Sequence, residues 1–381
     1  MNVPIAPRYL PILKARQGEL TALRNLESIE GGIGNLTPVI EVVDSPVTGQ
    51  LTERQSQLRR IAAKLERAWP AGRPRAVVDT LIPEGEPEPQ ATYDEFEIVD
   101  PEGESILPDL FHLLRSAGMR AVPVMRLSDS AGGRRRTELR HVMAWSHEPG
   151  GCLRISTEDL DDQIVPLDRA VEDYMEEVGV SPEQVDLIID FAAVDDDHTA
   201  AMATRLARFV VPTLDRHAWR SFTLAAGAFP VNLGEVSAYQ VARIPRRDRE
   251  LWLQLSQMRL RRPLDYSDYA VTHPLLQTGV AFAAPPQIRY TSRDSWLVAK
   301  GRRTDRRSHR QFFDLCGRVR TDFATEIAPA SRSWGDAQFH VAADKAGTEE
   351  EQPGNASTWR AIATSHHIAH VLLNLSSRNE P

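Results

Sequence analysis

The chain is 381 residues long, with a formal net charge of −8 and 41% hydrophobic residues. That length suits one large α/β unit with additions, and the apolar fraction is enough to fill a large core. The mild acidity argues against bulk electrostatic binding of nucleic acid. Two scattered cysteines, Cys152 and Cys316, make neither a disulfide framework nor a zinc site, so a reducing cytoplasm is expected.

Along the chain, short β-type runs alternate with amphipathic helical ones. Tyr9–Ala15 is a first strand, and QGELTALRNLES is its helix. Leu36–Val43 is a second strand. The long helix LTERQSQLRRIAAKLERAW follows, with Thr52 and Glu53 suited to its first turn. Arg75–Ile82 is a third strand, and the helix SILPDLFHLLRSAG stops at Gly118. Met119–Ser128 is a fourth. A basic interruption, GGRRRTELR, then precedes HVMAWS and a fifth strand at Leu153–Ser156. The helix DRAVEDYMEEVGV leads to the clearest strand, Val185–Val194, and HTAAMATRLARFVVPTLD is its helix. Ser221–Phe229 is a seventh strand, RDRELWLQLSQMRL a helix, and Leu264–Val271 an eighth strand.

Eight β-runs, mostly separated by helices, predict a (β/α)8 barrel of the TIM type over residues 1–274. The rival is a doubly wound open sheet, but no glycine-rich dinucleotide fingerprint follows the first strand. GGIGN (Gly31–Asn35) precedes a strand and reads as a turn. Residues 275–381 read as a C-terminal α+β extension packed on the barrel. It comprises a hairpin turning at Arg293–Asp294, the helix RSHRQFFDLCGRVR, a loop at Thr348–Gln352 and the closing helix STWRAIATSHHIAHVLLNL. The N-terminus has no signal-peptide run, and no segment reads as a membrane span.

Catalytic side chains of a parallel β/α barrel sit at the C-terminal ends of its strands. Those ends carry Lys14, Glu41, Asp79, Arg126, Arg154, Asp190, Asp265 and Asp268. Buried charges are costly unless paired or bound to a ligand, so the set is either an ion-pair network or a pocket. Alternation puts Asp265 and Asp268 on opposite faces; Asp268, nearer the strand's end, is assigned to the mouth and Asp265 to a structural role. As chemistry, Lys14, Glu41, Asp79, Asp190 and Asp268 are the catalytic candidates. Their carboxylates would serve as acid/base groups or as oxygen ligands for a divalent cation such as Mg2+. Lys14, Arg126 and Arg289 suit a clamp on phosphate or carboxylate.

In the closing helix, His366 and His370 share a face, but His367 stands where HExxH needs its glutamate, so a metalloprotease site is not expected. One histidine is expected in the tail–barrel interface and the others exposed. His366, His367, Trp359 and Arg360 remain ligand-binding candidates, with Trp359 as an anchor and Arg360 as an anion contact. The basic runs at 132–140 and 300–310 carry no interleaved aromatics and read as a solvated loop and a solvated helix face.

Five stretches occur in order: YLPILKARQGELTAL, with Tyr9, Pro11, Lys14, Gly18 and Glu19; TPVIEV, with Glu41; DYSDYAVTHP; IRYTSRDSWLVAKG, with Lys300–Gly301; and GNASTWRAIATSHHIAHV. Together they resemble the phage-type Beta protein family over nearly the whole chain. The resemblance implies a place in phage–host conflict and carries no established reaction. Two functions are then open. One is an enzyme acting on a phosphate-containing substrate, a nucleotide or nucleic acid. The other is a non-catalytic sensor that binds a partner such as a phage or defence-system protein. The first requires the strand-end side chains to converge. The second requires salt bridges closing the mouth and an exposed apolar patch elsewhere.

Overall fold

A computed structural model describes residues 7–29, 31–43, 51–80, 107–128, 134–147, 149–161, 166–275 and 284–377. Its centre is a parallel sheet of eight strands: β1 (Ile12–Lys14), β2 (Val39–Val42), β3 (Ala76–Thr80), β4 (Ala121–Met125), β5 (Gly151–Ser156), β6 (Val185–Ala193), β7 (Ser221–Gly227) and β9 (Asp265–Asp268). Strand β9 comes round to β1: Tyr9 bridges Tyr266, and Leu10 N donates to Tyr266 O at 2.8 Å. The result is the nearly closed α/β barrel that the alternation of elements predicts. Each expected barrel strand is present, although residues 81–82 of the third lie outside the described residues.

The strands are buried on both faces, which is why they read as continuous apolar runs. Helices α1 (Gln17–Arg24), α2 (Leu51–Ala68), α3 (Leu107–Ser116), α4 (Arg134–Trp145), the short α5 (Thr157–Asp161), α6 (Leu167–Val178), α7 (Asp197–Leu214) and α8 (Arg247–Leu255) follow the strands. Their apolar stripes supply the outer core. In α6, Val171, Tyr174, Met175 and Val178 are buried at helical spacing, and Gly179 ends the helix at a φ of 77°. Asp196 caps α7 by accepting from Thr199 N at 2.7 Å.

Strand β8 (Val241–Pro245) lies outside the barrel. It pairs antiparallel with β11 (Ser295–Lys300), which pairs with β10 (Gln287–Thr291) across the expected hairpin. Chain from before residue 274 thus completes the sheet of the tail. Helices α9 (Gln311–Asp322), α10 (Trp334–Asp344) and α11 (Ala356–Ser376) pack on it, and α11 also lies against α1.

The first basic run departs from the expectation of a solvated loop, and the second is solvent-exposed as expected but does not form a helix face. Residues 134–140 lie in α4, where Arg135 and Arg136 are buried; Arg136 stacks over Tyr174 at 4.4 Å and pairs with Glu177. Their aliphatic stems cover apolar surface while the charged heads find partners. In the second run, helix α9 begins only at Gln311, after a single 3-10 turn at Ser308–Arg310, and Arg307 is bound by Asp314 and Glu349. No helix among the described residues is long and apolar enough to cross a membrane.

Candidate functional site

The strand period of two builds the site. Ile12, Val39, Val77, Val124, Cys152 and Ile188 belong to one apolar cluster inside the barrel. Two residues further along the same strands stand Lys14, Glu41, Asp79, Arg126, Arg154 and Asp190, a charged layer directly above the apolar one. Arg154 is its centre. Its Nη1 donates to Glu41 Oε1 at 3.0 Å and Asp79 Oδ2 at 2.7 Å; its Nε and Nη2 reach Asp190 Oδ2 at 2.9 and 2.6 Å. The Tyr269 hydroxyl accepts from Arg154 Nη2 at 2.7 Å and donates to Asp190 Oδ2 at 2.6 Å. Arg126 Nη2 holds both oxygens of Asp79 at 2.7 Å. Burial pushes the Asp79 carboxyl up, but the Arg126 and Arg154 guanidinium groups outweigh it and hold it below the usual range. Burial likewise works against the Arg154 charge, and Tyr269 with the three carboxylates more than restores it.

Lys14 and Glu41 form the side of this layer nearest the tail. Lys14 Nζ donates to His273 O at 3.1 Å and Pro274 O at 2.8 Å, and lies 3.9 Å from Glu41 Oε2. Burial lowers the Lys14 pKa against the pull of Glu41 and Glu19. Glu41 Oε2 is buried and takes no hydrogen bond. Among the described residues, no group of three or more His, Cys, Asp or Glu is placed to hold a metal ion. The geometry gives the reason in the mouth: Arg154 lies between Glu41, Asp79 and Asp190.

Arg289 and Arg360 stand at the rim, beside the mouth, on elements that pack together. Arg289 reaches from β10 over the ring of Phe229, 4.3 Å away, and donates to Val271 O and Gln287 Oε1. Neither acceptor carries charge. Burial, then the Arg360 guanidinium, pushes the Arg289 pKa well below the usual range, opposed by Glu19. Arg360 Nη1 lies 3.6 Å from Glu19 Oε1 and keeps 29% of its side chain exposed. The rim forms because α1 and α11 approach closely: a Cβ on Gly18 would lie 2.8 Å from Arg360 Cβ.

Asp268 is not brought to the mouth. It faces outward from β9 and collects donors from four directions: the Tyr9 hydroxyl at 2.6 Å, the Tyr266 hydroxyl at 2.9 Å, Arg246 at 3.3 Å and His367 Nε2 at 2.8 Å. Burial raises its carboxyl, and His367 and Arg246 more than reverse that. Burial lowers His367 against the pull of Asp268; its Nε2 faces that carboxylate and its Nδ1 lies 2.8 Å from the Thr291 hydroxyl. The single Tyr266 hydroxyl proton is shared between Asp268 and Asp248, the latter at 2.6 Å; burial and the Asp268 charge push the Asp248 carboxyl up to about 6 against Arg246. His366 faces Asp336 Oδ1 at 2.7 Å and Thr291 O at 2.8 Å, both acceptors. His366 and His367 are therefore both buried, and His370 is half-buried, where two exposed histidines are expected from the sequence. The inner face of α11 is covered by α1, α10 and β10. Trp359 stacks on Phe312 at 5.1 Å and donates to Pro353 O, so its surface is used in packing.

Asp265, expected to be structural, stands at the start of its strand. Asp265 sits at the other end of the barrel, accepting from Arg8 N at 2.8 Å and Phe222 N at 3.2 Å.

A family model described as Beta protein matches residues 9–373. The chain belongs to the Beta protein family. No curated protein matches it. Within this Beta protein chain, the mouth layer joins Lys14, Glu41, Asp79, Arg126 and Asp190, the rim joins Arg289 and Arg360, and Asp268, His366 and His367 form a separate seam. Sequence reasoning did not single out Tyr269, Arg246 or Asp336. Tyr269 was within reach, since it follows Ser267 by two on the inward face; Arg246 and Asp336 gain their partners only through tertiary docking.

Proposed function

We propose that this Beta protein is a ligand-sensing barrel in phage–host conflict, acting by binding and not by turnover. One observation carries the reading: Arg154 is hydrogen-bonded to three buried carboxylates at once, so the groups that a hydrolase would use as metal ligands or general base are neutralised by an internal cation. The mouth is internally charge-balanced, with Lys14, Arg126 and Arg154 facing Glu41, Asp79 and Asp190. The role in conflict rests on the family alone. A protein partner is supported by Met202 and Phe209, seven residues apart on one face of α7 and 53% and 76% exposed.

The test is incubation of the full chain with nucleotides and oligonucleotides, in Mg2+ and in Mn2+, followed by product analysis. The expected result is intact substrate. Metal-dependent product that disappears in a folded Asp190→Asn variant would overturn the sensor reading and restore the enzyme.

A further inference from the structure

The mouth has no cation to spare, but the rim does. Arg289 and Arg360 come from two packed elements of the tail, β10 and α11; Arg360 lies 3.6 Å from Glu19 in the first turn of α1, and Arg289 lies in the field of both. Between them the described residues supply one carboxylate, Glu19. Two guanidinium groups sharing one carboxylate leave an excess of positive charge, and Arg16 adds to the field on Arg360. Like charges held together away from bulk water repel, and both hydrogen-bond acceptors of Arg289, Val271 O and Gln287 Oε1, are neutral, so its charge is offset in part by the Phe229 ring face and Glu19. Burial and the neighbouring guanidinium groups depress both arginines, the response of cations whose counter-charge is incomplete.

The cluster is also reachable. Arg360 keeps 29% of its side chain exposed. It is adjacent to the mouth as well: the segment whose Val271 carbonyl binds Arg289 goes on to present the His273 and Pro274 carbonyls to Lys14. Glu19 is felt by Lys14, Arg289 and Arg360 alike.

We infer that Arg289 and Arg360 form an anion subsite for the phosphate group of a small phosphate monoester, whose organic part lies toward Lys14 and Glu41 at the barrel mouth. The inference builds on the sensor reading by naming the chemical class of its ligand. Phosphate is favoured over carboxylate because a tetrahedral dianion offsets more of the excess charge and presents oxygens to donors arriving from two directions. The organic part meets Glu41 Oε2, the buried acceptor beside Lys14 that takes no hydrogen bond. A hydroxyl or amino group on the ligand satisfies it.

Calorimetric titration of the full chain with inorganic phosphate, acetate and adenosine monophosphate tests this, in the wild type and in Arg360→Gln, Arg289→Lys and Glu41→Gln. Inorganic phosphate is expected to bind at least about tenfold more tightly than acetate and to weaken at least about tenfold in Arg360→Gln. Arg289→Lys, which keeps the charge and loses the fork, is expected to weaken it too. Glu41→Gln is expected to weaken the nucleotide and leave inorganic phosphate unchanged. Arg360 is partly exposed, so its variant reports on binding even if Arg289→Lys fails to fold. Unchanged phosphate affinity in a folded Arg360→Gln, or no phosphate binding in the wild type, would overturn the subsite. Turnover of the nucleotide with the subsite intact would sink the sensor reading alone.

Discussion

Arg154 holds three carboxylates that would otherwise repel one another, and its removal should be felt through all of them. Replacing it with methionine leaves Glu41, Asp79 and Asp190 buried without their shared cation, at an expected cost of ~3–5 kcal/mol at pH 8. The pH dependence carries the sign. In the wild type, Asp79 is depressed in the folded state, so its contribution is present above the ordinary carboxylate range and is lost as pH falls through the folded value. In Arg154→Met the crowded carboxylates rise instead, so the variant gains stability on acidification. Urea midpoints at pH 8 and pH 5 should show the gap between variant and wild type narrowing at pH 5; a constant gap would contradict the ion-pair account. The charged positions themselves were legible in the sequence, because each follows an apolar inward residue by two. Their pairing was not. Which carboxylate meets Arg154 depends on the stagger of strands around the barrel, which no single strand records.

At the scale of elements, the helices of the tail are fixed to one another by backbone contact as much as by charge. Helix α10 crosses α11 so closely that a Cβ on Gly335 would lie 2.4 Å from Ile362 O and 2.7 Å from His366 N. Gly335→Ala should therefore cost ~1–3 kcal/mol by forcing the helices apart. A denaturation midpoint equal to the wild type would show that the crossing is loose. The hairpin of β10 and β11 was readable from its turn at Arg293–Asp294. Strand β8 was not: it is short, half-exposed and ends in Pro245, and it is a strand only because β11 offers it an edge. For the same reason the sequence assigned Asp268 to the mouth. Alternation separates it from Asp265 but does not say which face α11 will cover. The left-handed residues Ala192 and Ala270, at φ values of 50° and 51°, mark the same corner on two strands. Each N–H is held by the aspartate two residues before it, Asp190 or Asp268. That Asp-x-Ala pattern was visible in the sequence and would have flagged where both strands end.

Across the whole molecule, the proposed site is shared between barrel and tail. The barrel supplies a neutral, self-paired mouth; the tail supplies the surplus cations at its rim; the segment from Val271 to Pro274 joins the two. The barrel architecture followed from eight evenly spaced strands, but a site assembled from β1, β10 and α11 brings together residues more than 300 positions apart, which spacing alone does not reveal. The most direct measurement is a crystal structure of the full chain soaked in selenate, a tetrahedral dianion visible by anomalous scattering. A selenate within hydrogen-bonding reach of both Arg289 and Arg360 is the expected result. Ordered selenate elsewhere on the molecule, with none between those two arginines, would contradict the account.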